Sequence, residues 1–253
     1  MTIQKLKSIS IIDIIGIRSD GTFREGKGGQ VMDISIFEVT GPLMIGPSSS
    51  HTAGAAKLSR VAAAIVDAPF KHVSFGLHGS FAKTYKGHGT DKALVAGVLG
   101  LKEDDERLEG SFQIAAERNI TYDFYEIILK DVHQNSVKMT FHLTNGNERE
   151  IIGSSIGGGR IVIKSIDGFD TDIPFNTSTL VIFQEDRVGV VSDITKTLAD
   201  HKINIGVMTV NRKEKGSEAC CIIETDSVLN QDVVEDLKKI RHVMRAQYVN
   251  IAE

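Results

Sequence analysis

"STLVIFQEDRVGVVSDITKTLADHKINIGVMTVNRKEKGSEACCIIETD" runs from Ser178 to Asp226, and its pattern decides the C-terminal fold. "STLVIFQ" (178–184) is rich in β-formers and ends at the turn "EDRVG". In "VVSDITKTLADHK" the residues Val190, Val191, Ile194 and Leu198 recur at helical spacing, the mark of an amphipathic helix. "INIGVMTVNR" alternates as a strand, "KEKGSE" turns, and "ACCIIETD" is the next strand, so the pair reads as a hairpin. Beyond it, "SVLNQDVVEDLKKI" reads as a helix with Ser227 at its N-cap and Lys238 and Lys239 in its last turn. "RHVMRAQYVNI" closes as a strand. The order is βαββαβ, an α+β ferredoxin-like unit over residues 176–253.

Upstream, residues 32–175 read as an α/β domain with a mixed sheet. "AAKLSRVAAAIVD" (55–67) and "TDKALVAGVLG" (90–100) have helical character. "HVSFGLHGS" (72–80), "YDFYEIIL" (122–129), "SVKMTFHLT" (136–144) and "REIIGSSIGGGRIVIKSID" (149–167) read as strands. Asn145-Gly146 between two of them is a strong hairpin signal. No G-x-G-x-x-G follows a strand and no phosphate-loop pattern occurs, which argues against a dinucleotide or nucleoside-triphosphate enzyme. Residues 1–31 read as an arm of unknown role: an apolar stretch interrupted by Asp13, then the polar, Gly-rich "RSDGTFREGKGGQ", with a second Met at position 32.

Composition sets the outer limits. The chain has 253 residues, 41% hydrophobic and 25% charged, and a net charge of −4. A packed core is expected, and nothing resembles the basic footprint of a nucleic-acid binder. No run of eighteen apolar residues suggests a membrane span. The two cysteines, Cys220 and Cys221, are neighbours and unsuited to a disulfide framework, which points to a reducing cytoplasm.

Two hydroxyl-rich stretches carry the chemistry. "GPSSSHTAG" (46–54) puts Ser48, Ser49, Ser50, His51 and Thr52 directly before an Ala-rich helix. One reading is N-capping; the other is a carboxylate or phosphate site with a proton-transferring histidine. "GSFAKTYKGHGTDKA" (79–93) sets His88 between Gly87 and Gly89, before a helix that Thr90 or Asp91 caps. A third piece, "VHQNS" (132–136), brings His133 and Asn135. The fourth, "SSIGGGR" (154–160), reads as a bulge or tight hairpin, with a phosphate cradle as the lesser alternative.

"IGPSSSHTAG", "GSFAKTYKGHGTD" and "SIGGGR", in that order before a βαββαβ unit, resemble the beta subunit of bacterial iron–sulfur-dependent L-serine dehydratases, from about Phe37 onward. The terminal unit resembles an ACT domain. The resemblance implies deamination of L-serine to pyruvate and ammonia with a [4Fe-4S] cluster. It implies His51 and His88 as catalytic residues. It implies Ser48, Ser49, Ser50, Thr52, Lys86, Gly87, Thr90, Asp91, His133 and Asn135 around the substrate.

A cluster needs several thiolates, and two neighbouring cysteines in a strand point to opposite faces. The cluster is therefore expected on a separate alpha subunit, with no metal ligands in this chain. Two departures stand out. His133-Gln134-Asn135 replaces the family's His-Pro-Asn. In the ACT unit, Gln184, Asp186, Arg187, Val188 and Gly189 replace His-x-Asn before Arg-Pro-Gly, leaving Asp186, Gly189 and Asn204 as the candidate regulatory site. A homodimer through the ACT unit is expected, because bare sheet edges such as "INIGVMTV" and "ACCIIETD" need cover. The rival reading is a stand-alone amino-acid-binding regulator without a catalytic part.

Overall fold

The computed structural model describes residues 44–250; the arm read over 1–31 and the start of the first domain at 32 lie outside them. Among the described residues the first α-helix, α1 (Gly54–Val66), leads into strand β1 (Phe70–Gly79). A helical crossover follows, made of α2 (Ser80–Thr84), α3 (Thr90–Val98), a short 3-10 turn and α4 (Ser111–Glu117). Strands β2 (Thr121–Glu126), β3 (Asn135–Leu143), β4 (Glu148–Gly157), β5 (Arg160–Ile166) and β6 (Phe169–Ile173) complete a sheet in the order β2-β1-β3-β4-β5-β6. β1 and β2 run parallel and the other neighbours antiparallel, so the sheet is mixed as expected.

Alternation along the strands sorts this sheet into two faces. Val73, Phe75 and Leu77 of β1, with Val137, Met139 and Phe141 of β3, are buried against Leu58, Val61 and Ile65 of α1. Each such side chain contributes about 1.5–3 kcal/mol on burial. The intervening His72, Ser74, Thr140 and His142 lie on the opposite, polar face. Helix α1 is rich in alanine because α3 lies close: a Cβ on Gly97 would fall 2.0 Å from Ser59 Oγ and 2.2 Å from the Ala56 carbonyl. The Asn145-Gly146 turn forms, with Gly146 at φ +88°. "SIGGGR" is a tight hairpin, its three glycines all at positive φ.

The C-terminal unit is β7 (Thr179–Glu185), α5 (Val190–Asp200), β8 (Ile205–Arg212), β9 (Glu218–Thr225), α6 (Gln231–Lys239) and β10 (Val243–Val249). Its sheet order, β10-β7-β9-β8, is that of the ferredoxin-like unit. Both faces are covered. Leu180, Ile182, Cys221 and Ile223 pack on Ile194, Leu198, Val233 and Leu237 of the two helices. Val181, Phe183, Cys220 and Ile222 join the core of the first sheet, with Ile166, Phe169 and Phe175. The adjacent cysteines thus point to opposite sides, as strand geometry requires.

Three local readings are corrected. "ACCIIETD" is the interior strand β9, so the edges are β8 and β10. Asn230, not Ser227, occupies the N-cap of α6, because the helix starts only at Gln231, three residues later than a Ser227 cap would require. The strand read over 122–129 ends at Glu126, and Ile128 stands 90% exposed. No helix among the described residues is long and apolar enough to cross a membrane.

Candidate active site

The serine row folds into a single π-helical turn, Ser49–Ala53, that feeds directly into α1. Ser48 is its N-cap, its hydroxyl accepting from the His51 backbone N–H at 3.1 Å. Capping therefore accounts for one serine. The Ser50 hydroxyl instead lies 3.1 Å from His51 Nδ1, with Ser48 Oγ at 3.5 Å from the same nitrogen. On the other side of the ring, Nε2 is 3.0 Å from Ser80 Oγ.

Among the described residues His51 is thus bracketed by hydroxyls and not oriented by a carboxylate, which separates it from a Ser-His-Asp relay. Its ring centroid is 4.9 Å from that of His88 and 5.4 Å from Phe81. Partial burial, and next the neighbouring His88, hold the His51 pKa below the ordinary 6.5. At neutral pH His51 is an uncharged imidazole with a lone pair to accept a proton.

The second helix mouth meets the first through Thr52. Its hydroxyl is buried and donates to the His88 carbonyl at 3.0 Å. Thr52 is therefore a tie between the two mouths and has no hydroxyl hydrogen left for a substrate. Neither Thr90 nor Asp91 caps α3; Gly89 holds that position in the left-handed region at φ +65°. The Thr90 hydroxyl is buried without a hydrogen-bond partner among the described residues, and Asp91 Oδ1 accepts from the Lys92 N–H at 2.8 Å. Lys86, Gly87 and His88 are exposed, and the Lys86 ammonium stands 5.7 Å from the Tyr85 ring. Ser49 contributes its carbonyl to the Gly54 N–H.

The third piece arrives indirectly. Ser80 N–H donates to the Gln134 carbonyl at 2.8 Å, which pins the loop before β3 against the start of α2. His133 Nδ1 accepts from the Asn135 N–H at 3.1 Å, and Asn135 is buried. Among the described residues no hydrogen bond joins His133 or Asn135 to either catalytic candidate. Two groups beyond the sequence reading belong here. Ser80 was legible as the residue after a strand-ending glycine inside the second motif. Ser155, buried and without a hydrogen-bond partner among the described residues, is placed by fold alone; its hydroxyl is 2.0 Å from where a Cβ on Gly54 would sit.

The candidate regulatory residues are not brought together within one chain. Asp186 Oδ2 accepts from the Gly216 N–H at 2.9 Å and from Arg212 at 3.1 Å. The Gly216 contact first, then Arg212, keep its carboxyl below the usual range. Gly189, at φ +97°, opens α5, while Asn204 lies past its far end and donates to Asp226. α5 has 11 residues, a separation of roughly 16 Å at the helical rise.

The thiols of this chain do not suit an iron–sulfur cluster. Cys220 and Cys221 are free and buried on opposite faces of β9, and burial pushes both thiols up to about 12. Neutral thiols facing two separate cores do not fit a cluster. Among the described residues no group of three histidine, cysteine or acidic side chains is set to hold a metal ion.

Residues 178–242 match the ACT domain, which fixes the class of the C-terminal unit. Residues 35–165, more than half of the chain, match the serine dehydratase beta chain. The chain belongs to the serine dehydratase beta chain family. It is 40% identical over 220 residues to the L-serine dehydratase beta chain of Peptoniphilus asaccharolyticus, covering 87% of this chain and 99% of that one. It is 38% identical over 211 residues to the probable L-serine dehydratase beta chain of Bacillus subtilis, covering 83% and 96%. It is also 30% identical over 181 residues to L-serine dehydratase 1 of Escherichia coli, covering 58% of this chain and 38% of that protein.

Proposed function

We propose that this chain is the beta subunit of a two-chain L-serine ammonia-lyase that yields pyruvate and ammonia. The observation that carries the reading is the neutral His51 imidazole, held between hydroxyls beside His88 at two joined helix mouths. In this reading the hydroxyls of the serine row at the π-helical turn receive the substrate carboxylate. His51 takes the α-proton, and the β-hydroxyl leaves as water on accepting a proton from His88. The resulting 2-aminoacrylate tautomerises to the imine, and one water hydrolyses it to pyruvate and ammonia. Atoms balance, since the water lost in elimination is regained in hydrolysis.

The [4Fe-4S] cluster belongs, in this proposal, to an alpha chain that supplies its thiolates. Support comes from two sides. The thiols here are buried and protonated, and His51 is only half-buried while His88 is exposed. Elimination chemistry of this kind gains from exclusion of water, and a second chain docked over the helix mouths provides it. A homodimer through the ACT unit is part of the same reading. Its support is the β8 edge, where Val207 is 52% and Val210 41% exposed.

The test is co-expression with the adjacent reading frame that encodes a chain with at least three cysteines. Expected is a purified complex that forms pyruvate and ammonia from L-serine in equal amounts, while this chain alone does not. A complex that forms and binds L-serine without turnover would favour the regulator reading instead.

A further inference from the structure

A cleft of about 630 Å³ opens where the first sheet meets the ACT unit, and none of its lining residues belongs to the helix mouths. Its charge is organised around Asp167, in the turn between β5 and β6. Asp167 Oδ1 accepts from the Glu150 N–H at 3.0 Å. Oδ2 faces Arg149 of β4 and Arg245 of β10, the latter at 3.1 Å. Lys213, in the β8–β9 turn, donates to the Asp167 carbonyl at 2.6 Å and stands 4.6 Å from the Phe169 ring. The Arg149 and Arg245 guanidiniums lie 5.4 and 3.8 Å from the centroid of Phe183.

One aspartate thus meets three cations. Of the glutamates on the same lining, Glu150 is committed to Lys138 at 2.6 Å and Glu148 to His142 at 3.0 Å, while Glu218 is exposed. Arg149 is only 8% exposed. Its Nη2 is ion-paired with Asp167, yet neither Nη2 nor Nε makes a hydrogen bond among the described residues. A buried donor left without an acceptor is costly, and a native fold that keeps one points to an acceptor that comes from outside. Water would satisfy the hydrogen bond but not the surplus of positive charge. An oxyanion satisfies both, because a guanidinium fork matches carboxylate and phosphate oxygens and an ammonium beside it adds a point charge.

We propose that this cleft binds one small oxyanion, a carboxylate or a phosphate, with Arg149 and Lys213 as its donors and Arg245 beside them. Arg149 comes from the first sheet, and Lys213 and Arg245 from the ACT unit, so the bound anion fastens one to the other. The site is separate from the helix mouths and from Gly189 and Asn204, and it does not depend on the catalytic reading.

The experiment is calorimetric titration of the purified chain with inorganic phosphate and, separately, with malonate. Ionic strength is held constant with chloride, because salt screens such contacts. At least one of the two anions is expected to bind one to one with millimolar or tighter affinity, and the tighter of them identifies the chemistry. Lys213→Met, on an exposed turn, and Arg149→Lys, which keeps the charge but loses Nε, are each expected to weaken that binding about 10-fold or more. Lys196→Met, the same charge change on α5 outside the cleft, leaves it unchanged. Should Arg149→Lys fail to fold, Lys213→Met decides alone. No heat from either anion at about 10 mM, binding that survives Lys213→Met, or binding that is lost in Lys196→Met or His51→Ala overturns the site.

Discussion

Thr52 donates its hydroxyl to the carbonyl of His88 at 3.0 Å, so one buried side chain holds the two helix mouths in register. The contact explains how residues 37 positions apart in the chain place their imidazoles 4.9 Å from each other. Removing it leaves a carbonyl without its partner and frees the "YKGHG" turn to move. Thr52→Val, which keeps the shape, is expected to cost about 1–3 kcal/mol of stability. In the assembled enzyme it lowers kcat more than it raises KM, because His88 rather than substrate binding is displaced. Thr52→Ser restores kcat if the hydroxyl is what counts. Equal loss in Thr52→Ser and Thr52→Val would assign the effect to packing alone.

Gly79 ends β1 at φ +59°, and a Cβ there would fall 2.5 Å from Gln134 Oε1 and 2.6 Å from the Gln134 carbonyl. The same carbonyl accepts from the Ser80 N–H, next to the hydroxyl that faces His51. Gly79→Ala is therefore expected to destabilise the chain by about 1–3 kcal/mol through backbone strain and the clash. Urea unfolding measures this, and turnover should fall further than stability predicts because Ser80 shifts. A variant with wild-type stability would mean the loop before β3 yields freely.

The depressed His51 pKa has a definite sign. Folding disfavours the imidazolium, so between the lowered native value and 6.5 the unfolded chain binds more protons. The contribution of this residue to stability is complete above pH 6.5 and is lost as pH falls through the native value. Turnover follows the same direction, with an acidic limb lying below 6.5 as the base becomes protonated. Measured against pH, kcat/KM should show that limb in the wild type and lose it in His51→Gln. A limb that persists unchanged in His51→Gln belongs to another group.

The two thiols make a separate prediction. With both pushed up to about 12 by burial, the native chain is expected to react with a thiol reagent over hours, and both sites at once after denaturation. Reconstitution of this chain alone with iron and sulfide should give no cluster absorbance. A stable brown chromophore bound to the isolated chain would contradict the assignment of the cluster to a partner.

What could be read from the residues follows from what each feature depends on. The βαββαβ order was legible because each element carries its own period, from Val190, Ile194 and Leu198 on one helix to the alternating strands beside it. The opposite orientations of Cys220 and Cys221 followed from strand geometry without any knowledge of the cores they face. Which strand lies at an edge was not legible, since "ACCIIETD" is as apolar as "INIGVMTV" and only pairing distinguishes them. At the site, His51 and His88 stood out by residue type and glycine neighbours. The role of Thr52 did not, because its partner is a backbone carbonyl that no side-chain pattern announces. Asp186 looked free for a ligand until the β8–β9 turn brought Gly216 and Arg212 to it.

The ACT unit supplies a fifth test. If β8 pairs with a second copy, light scattering of this chain reports a dimer at micromolar concentration, and Thr209→Pro on the exposed edge reduces it to a monomer. A clean monomer in the wild type counts against the edge. Calorimetry with L-serine then asks whether the pair senses: binding that disappears in Asn204→Ala places the effector at Gly189 of one chain and Asn204 of the other.

The central claim is that His51 is the base of an L-serine elimination, and it is tested most directly by steady-state turnover of the two-chain complex carrying His51→Ala. The account predicts a fall in kcat on the order of 10²–10⁴, with subunit association and the cluster's absorbance unchanged. Turnover within a few-fold of wild type, in a complex of normal composition, would remove His51 from the mechanism and contradict the account.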